Sequence, residues 1–521
     1  MKDSKIYLFL KSNLFFFLLL TAVVFCLYGK SINFDFTYFD DDLLVLDNIE
    51  FLSDIDNVPD LFKTSVYFSK DVQYYRPVLK LSFLLETSLF GFNKQIYHLT
   101  NIILFLLSLY LMYVFLKKLK LNETVLKFVL VLIAVHPILT SCVVWIPARN
   151  DTLLAIFIFL SFIFFVKYLE NNSFKNLLLY ILFWAMAIFT KETALIVLFL
   201  FPLFIWCFEY RLNKREIIKN VLLFATILLI YFCLRFFYVP GTGLLSNTIS
   251  VSEYLRNLFF GLFMYLYQLI TLDIHVIAYD YKFEFFGFLI VFVAIMFITI
   301  SLYKKLVTKK QFVWCISILI LFLLPTFLLK EYSVLNHRVV IPISAIVMMV
   351  ALIMDKIICL KKIKYIFVFL FCLVFIFCFS YSFSFQNKYR DEINFKINAY
   401  IDAPDSSSTC YWMACLYIEN GNYEKAKEFL QKTNCVYYSD LALIYYREGD
   451  MDKAEELYNK SVESGINKAQ CYRNLSIIYL KRDKDINKAI EYARLAVRED
   501  QYDDEYKKYL LSLENEIKNV K

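Results

Sequence analysis

Phe34-Asp35-Phe36-Thr37-Tyr38-Phe39-Asp40-Asp41-Asp42-Leu43-Leu44-Val45-Leu46-Asp47-Asn48 follows directly on the first very apolar segment of the chain. It sets three consecutive carboxylates at the edge of a hydrophobic stretch. Adjacent acids repel one another and are costly beside hydrocarbon, so a specific use for them is the first expectation. The fold follows from what surrounds them.

The 521 residues are 60% hydrophobic with only 9 glycines, and the mean hydropathy is +0.56. Such a composition belongs to a polytopic α-helical membrane protein. Candidate spans are 12–29, 97–116, 124–141, 152–169, 176–190, 194–209, 217–238, 256–275, 284–303, 311–329, 339–354 and 363–384. The segment before Tyr28 lacks a small-x-small cleavage site, so it reads as an uncleaved first helix. The net charge of +7 is dispersed in short loops, which argues against a nucleic-acid partner. Seven of the 12 cysteines (Cys26, Cys142, Cys207, Cys233, Cys315, Cys372, Cys378) fall inside spans as small buried hydrophobes. Cys410, Cys415, Cys435 and Cys471 lie in the polar tail at spacings that fit no zinc site.

Basic loops orient the helices. Lys2, Lys5 and Lys11, then Lys117, Lys118 and Lys120, then Lys167 and Lys175, then Arg211, Lys214, Arg215 and Lys219 all face inside under strict alternation. Lys304, Lys305, Lys309 and Lys310, and then Lys356, Lys361, Lys362 and Lys364, stay inside only if 256–275 does not cross. That segment carries Gln268, Asp273 and His275, which suits a segment lining a cavity. The expectation is about 11 crossings with the C-terminus outside.

Beyond Phe385 the chain turns polar and helix-forming. Ala414-Cys415-Leu416-Tyr417 with Gly421-Asn422-Tyr423-Glu424-Lys425-Ala426 is echoed by Ala442-Leu443-Ile444-Tyr445 with Gly449-Asp450-Met451-Asp452-Lys453-Ala454. Ser476-Ile477-Ile478-Tyr479 with Ile486-Asn487-Lys488-Ala489 is a third copy carrying one extra residue. This is the tetratricopeptide pattern, small residues for close packing and a glycine to end the first helix. The first two copies are 28 residues apart, against about 34 as usual, so one helix between them should be short. The fold class is therefore all-α: a polytopic helical domain over 1–390, with its first outer loop at 30–96, and a helical-repeat domain over 396–521.

Orientation sorts the polar residues. Asp40, Asp41, Arg76, His98, His136, Arg149, Lys191, Glu192, His337 and Arg338 all reach the outer face. Chance would scatter them. Within the first outer loop, 58–68 and 78–90 carry apolar residues at helical spacing but are too short to span, so they read as amphipathic surface helices. Carboxylates can deprotonate a hydroxyl, and Arg76, Arg149, Lys191 and Arg338 can hold a phosphate leaving group. A lipid-phosphate-linked sugar arriving through the bilayer would meet both. The plainer alternative is a solvated acidic loop, a reading that gains little because Lys and Arg govern topology.

Asp40-Asp41 with Asn48, Tyr75-Arg76-Pro77-Val78, Gly91 with Tyr97-His98-Leu99-Thr100-Asn101, His136-Pro137, Trp145 with Arg149-Asn150-Asp151-Thr152-Leu153, and Lys191-Glu192 occur in an order with a known counterpart. Together they resemble the GT-C membrane glycosyltransferases of the protein O-mannosyltransferase type, particularly those carrying C-terminal tetratricopeptide repeats. The resemblance is strongest over 34–195. It implies a polyprenyl- or dolichyl-phosphate sugar donor; the acceptor expected is a protein or glycan hydroxyl, and its direct attack would invert the sugar carbon. It also implies an acidic pair, Asp40 and Asp41, of which either can be the base. His98, His136, Glu192 and His337 join the basic residues as donor- or acceptor-binding candidates. His337-Arg338 departs from the commoner Glu/Arg-Arg-x-Tyr context. No cofactor is expected, since the lipid-linked sugar is a substrate; a divalent metal at the acidic pair is the alternative. The repeats would take a protein partner or the acceptor peptide. The setting is a bacterial cytoplasmic membrane with the repeats outside, or an endoplasmic-reticulum membrane in a eukaryote. A transporter would put its charges near the midplane of repeated halves, and a scaffold would leave the polar set without a use.

Overall fold

A computed structural model describes residues 12–68, 74–239, 250–277, 285–328, 335–358, 363–433, 437–465, 467–500 and 504–520. Lys2, Lys5, Lys11, Lys361, Lys362 and Cys435 lie outside these residues. The described chain is helical throughout, with no strand among the described residues. It separates into two compact units, Met1–Asp402 and Ala403–Lys521. The composition changes near 390–396, but the short helix Glu392–Asp402 falls within the first unit.

Six helices in the described residues are long and apolar enough to cross a membrane, or seven if the bent pair Glu123–Ala134 and Pro137–Val144 counts as one span. Several such helices make a multi-pass membrane protein. The number reached by length and composition alone is smaller than the 11 expected from charge parity; Phe174–Thr190 and Glu192–Cys207 are apolar but shorter. The bend of 61° falls at His136-Pro137, where proline starts a new turn instead of continuing the helix.

Burial ranks these helices. Of the window around Ile146–Asn171, 72% is buried, against 11% for Lys214–Tyr238. The first is central and the second presents Leu222, Leu229, Phe236 and Phe237 to its surroundings, as a lipid-facing helix does. Around the central helix, Phe162 and Phe165 meet Phe201 with ring centroids 5.1 and 4.5 Å apart, and Ser161 donates to the Tyr180 carbonyl at 2.8 Å. The same helix packs against Lys94–Lys118 on another side.

The first outer loop has its own core of Phe36, Leu44, Val45, Leu52, Leu61, Val66, Leu79, Phe83 and Leu84. Pro77–Phe90 is the amphipathic helix expected there, with Leu79, Phe83 and Leu84 inward and Leu85, Leu89 and Phe90 outward. The second expected helix, 58–68, is only the single turn Val58–Leu61. After it the Phe62 and Lys63 N–H groups bond three residues back, and the Lys80 ammonium donates to the carbonyls of Thr64 and Ser65 at 2.9 and 3.0 Å.

In the second unit, Ser407–Glu419 pairs with Tyr423–Gln431, Tyr438–Glu448 with Met451–Ser464, and Lys468–Ile478 with Ile486–Glu499. Ala414, Ala426, Ala442, Ala454, Ser476 and Ala489 are all fully buried, which is why the pattern needs small side chains there. Gly449 caps its helix at φ 92°, a left-handed conformation favouring glycine. Tyr423–Gln431 has 9 residues where Met451–Ser464 has 14, which accounts for the short spacing. The extra residue of the third copy is taken up by a π turn at Tyr479–Asp483.

Candidate functional site

The acidic stretch is built on unusual backbone. Tyr38 and Asp40 both have positive φ, 52° and 66°, conformations that cost non-glycine residues about 1–3 kcal/mol and persist only where neighbours impose them. The imposing neighbour is Phe39 between them. Its ring stacks on Trp145 at 5.4 Å and on Phe395 at 5.2 Å, and its carbonyl accepts from Trp145 Nε1 at 3.1 Å.

That anchoring gives the two acids different surroundings. Asp41 is buried and turns back on its own segment, where Oδ2 accepts from the Thr37 N–H at 2.6 Å and the Thr37 hydroxyl at 2.5 Å. Burial pushes its carboxyl up to about 7, against the two Thr37 hydrogen bonds. Asp40 is half-buried, and Tyr67, Arg76 and Arg338 are the groups that favour its charged form. Burial raises its carboxyl to about 6; the phenol and the two guanidinium groups restrain the rise, and Asp42 adds to it.

Arg76 caps the Pro77–Phe90 helix at its start. Its Nε donates to Glu192 Oε2 at 3.0 Å, Glu192 Oε1 accepts from the Tyr75 N–H at 3.0 Å, and the guanidinium lies 4.4 Å over the Tyr74 ring. Burial opposes the Arg76 charge, but Glu192 and the phenols of Tyr67 and Tyr74 outweigh it and raise its pKa. The next residue to Glu192, Lys191, sits on Asp151, and Asp151 Oδ2 is 3.6 Å from His337 Nε2. His337 packs against the Trp145 ring at 5.0 Å. Burial pushes the imidazole down to about 3 despite Asp151, so it is neutral. Asp40, Arg76, Lys191, Glu192, His337 and Arg338 thus form one neighbourhood, from segments as far apart as 40 and 338.

Three candidates stand apart from it. Arg149 is fully buried and spent on structure: Nη1 to Glu86 Oε2 at 2.5 Å, Nε to Asn101 Oδ1 at 2.8 Å, and Nη2 to the Tyr97 carbonyl at 3.0 Å. With Phe83 4.4 Å from its guanidinium, it has no face left for a phosphate. His136 is also structural. Its Nδ1 accepts from the Ile138 N–H at 3.2 Å and its Nε2 donates to the Leu269 carbonyl at 3.0 Å, stitching the broken span to Val251–Thr271. His98 is buried beside Phe34, with Arg149, Asp35 and Lys94 as its charged neighbours.

Asp151, though part of the quoted motif, and Tyr67 are not among the binding residues expected from the sequence, yet both bear on this neighbourhood. Arg149 drew attention in place of Asp151, yet two residues on a helix are about 200° apart, so one points into the packing and the other into the site. Nothing in the sequence around Tyr67 marks it. No group of three or more His, Cys, Asp or Glu among the described residues has the arrangement to hold a metal ion.

Residues 77–239 match the family model described as dolichyl-phosphate-mannose-protein mannosyltransferase. Residues 407–432 and 437–464 match tetratricopeptide repeats. No curated protein matches the chain. Part of the first unit is therefore similar to a membrane glycosyltransferase family. The matched stretch holds Asp151, Lys191 and Glu192, while Asp40, Arg76 and the His337-Arg338 pair lie outside it.

Proposed function

We propose that this chain is an inverting glycosyltransferase. It moves a sugar from a polyprenyl- or dolichyl-phosphate donor to a hydroxyl on a protein or glycan at the outer face of the membrane. The observation that carries the reading is the run of contacts beside Asp40: Phe39 stacks on Trp145, Trp145 packs on His337, His337 lies against the Asp151–Lys191 ion pair, and Glu192, next to Lys191, holds Arg76. A carboxyl near about 6 is ionised at neutral pH yet basic enough to accept a proton. Asp40 takes the proton from the acceptor hydroxyl as its oxygen attacks the anomeric carbon. The bond from that carbon to the phosphate oxygen breaks, and the lipid phosphate leaves with the electron pair. Arg76 and Arg338 balance the charge that develops there. Lys191, held by Asp151, and neutral His337 line the phosphate side.

About 11 crossings, with 256–275 on the outer face, place the repeats outside, where they take the acceptor peptide or a protein partner. The setting is a bacterial cytoplasmic membrane, or the endoplasmic reticulum in a eukaryote.

The test is transfer from polyprenyl-phosphate mannose in membranes that contain the parent chain, Asp40→Asn or Arg338→Gln, each at matched expression. Loss of transfer in both variants supports the reading. Full turnover by Asp40→Asn would end it.

A further inference from the structure

The helix Glu392–Asp402 begins just beyond Val368–Tyr389, a stretch long and apolar enough to cross a membrane. Asp391 starts it, its Oδ1 accepting from the Asn394 N–H at 2.9 Å. Three of its residues are exposed, and all three are isoleucines: Ile393 at 54%, Ile397 at 39% and Ile401 at 64%. Every other position of the helix is buried or half-buried. Steps of four residues advance about 40° past a full turn, so the three side chains form one stripe about 12 Å long.

The stripe cannot turn inward. The opposite face buries Phe395 and Ala399, and the Phe395 ring stacks on Phe39 at 5.2 Å and meets Tyr389 at 5.6 Å. Both ends are fastened as well. The Arg390 carbonyl accepts from the Asp35 N–H at 2.8 Å. Asp402 Oδ2 accepts from the Val276 N–H at 2.5 Å, with Lys388 3.3 Å from Oδ1. Water-facing positions of a helix are ordinarily polar, so an apolar stripe held outward in this way has a partner.

The height of the helix names that partner. The turn Gln386–Tyr389 is tied to the end of the first apolar helix, Asn13–Tyr28, where Gln386 Nε2 donates to the Leu27 carbonyl at 2.8 Å. The first and last apolar helices thus end at one level, and Glu392–Asp402 starts from there. Composition points the same way. Patches that bind proteins centre on Tyr, Trp and Arg, whereas this stripe is wholly aliphatic. An aliphatic face on a short helix beside a span suits the boundary between headgroups and acyl chains.

We propose that Glu392–Asp402 is an interfacial helix that docks on the phospholipid surface, with Ile393, Ile397 and Ile401 set among the outermost acyl-chain carbons. Its other face carries Phe395, so the same contact steadies the ring on which Phe39, next to Asp40, is stacked.

The experiment uses Ile397→p-benzoylphenylalanine, a photo-crosslinking variant of the full-length chain, in nanodiscs of phosphatidylethanolamine and phosphatidylglycerol. After irradiation, mass spectrometry should find a phospholipid adduct on the peptide that holds the probe. The same probe replacing Phe377, 58% exposed within the span, is the positive control. A crosslink to Ala403–Lys521, a crosslinked dimer or no adduct overturns the proposal. If the first variant does not fold, the probe replacing Ile393 or Ile401 decides by the same outcomes. Hydrogen exchange in nanodiscs is the second measurement. In the triple variant Ile393→Ser, Ile397→Ser, Ile401→Ser the amides of 392–402 should exchange about tenfold faster than in the parent. Serine and isoleucine have similar helix propensities, so the difference reads lost lipid contact. Equal exchange in the folded variant overturns the proposal. Neither measurement involves sugar transfer, so both outcomes are independent of the glycosyltransferase reading.

Discussion

Lys191 Nζ lies 2.8 and 2.7 Å from the two carboxylate oxygens of Asp151, a doubly bonded ion pair in which both partners are buried. It ties the turn after Phe174–Thr190 to the first turn of Arg149–Asn171. Two charges out of water repay their desolvation only with such geometry, and they contribute little beyond what packed apolar residues would. The pair therefore makes better sense as a fixture that presents charge to the neighbouring site than as a source of stability.

Removing one partner should then hurt more than removing both. Lys191→Met strands a buried carboxylate and should cost about 3–5 kcal/mol, while Lys191→Met combined with Asp151→Leu should recover most of it. Melting in detergent at constant pH measures both. The single variant should regain stability as the pH falls, because protonating Asp151 or the adjacent His337 removes the unpaired charge. Equal losses in single and double variants would contradict this account.

The two acids of the opening stretch should separate in function. Asp40→Asn should lower transfer by about 10²–10⁴-fold, as loss of a general base does. Asp41→Asn keeps an acceptor for Thr37 and should leave most activity, while Asp41→Ala loses both Thr37 bonds and should destabilise by about 1–3 kcal/mol. The parent rate should climb with pH through about 6, where Asp40 ionises.

The same acids set a pH dependence of stability. Both titrate above the ordinary carboxylate value of 3.8, Asp40 at about 6 and Asp41 at about 7. Between those limits the folded chain holds more protons than the unfolded one, so stability falls as the pH rises from about 4 to about 7. Melting temperatures in that window should decline in the parent and flatten in the Asp40→Asn, Asp41→Asn double variant.

How far the sequence foretold this depends on the length of the pattern. Apolar runs and repeated Ala, Tyr and Gly positions are periodic over many residues, so helices and repeats could be read from them. Charge parity needs only the lysines and arginines of the loops to group Asp40, Arg76, Lys191 and Arg338 on one face; what the structure adds is the contact of Arg76 with Glu192 and of Lys191 with Asp151. Whether an arginine at the edge of a span meets ligand or packing depends on partners far away in the chain. Arg149 is lost to Glu86, Asn101 and Tyr97, none of which advertises its role. The difference between Asp40 and Asp41 was invisible for a related reason: it arises from the stacking of Phe39 on Trp145 and Phe395, which turns the two side chains apart.

Arg149 supplies a test of that distinction. Arg149→Met leaves Glu86 buried without its cation and should cost about 3–5 kcal/mol, seen as reduced melting temperature and yield. Adding Glu86→Gln should restore part of it. Whatever protein survives should bind a lipid-phosphate sugar as the parent does, with an unchanged KM. A raised KM in a folded Arg149 variant would return this residue to the phosphate site.

His275 should make the alkaline side of the profile steep. Its ring lies between two carboxylates, with Nε2 at 3.7 Å from Asp273 and Nδ1 at 3.6 Å from Asp402, and Lys388 reaches Asp402 at 3.3 Å. Burial opposes the imidazolium, but those carboxylates outweigh it and raise the ring to about 9. With the folded value above the unfolded 6.5, its contribution is complete below about 6.5 and disappears as the pH rises through about 9. The contribution should be on the order of 1–3 kcal/mol. Parent melting temperature should therefore drop between pH 7 and pH 9.5, roughly the limits of that window. His275→Gln should melt lower at pH 7 and lose little more above it. The His275 carbonyl accepts from Asn336 Nδ2 at 2.8 Å, and His337 and Arg338 follow directly. Releasing this clasp loosens the turn that carries Arg338, so transfer should fall on the same alkaline limb in the parent and remain flat, at a lower level, in His275→Gln. A parent whose melting temperature and transfer rate are both level across that range would show that the clasp does not bear on the site.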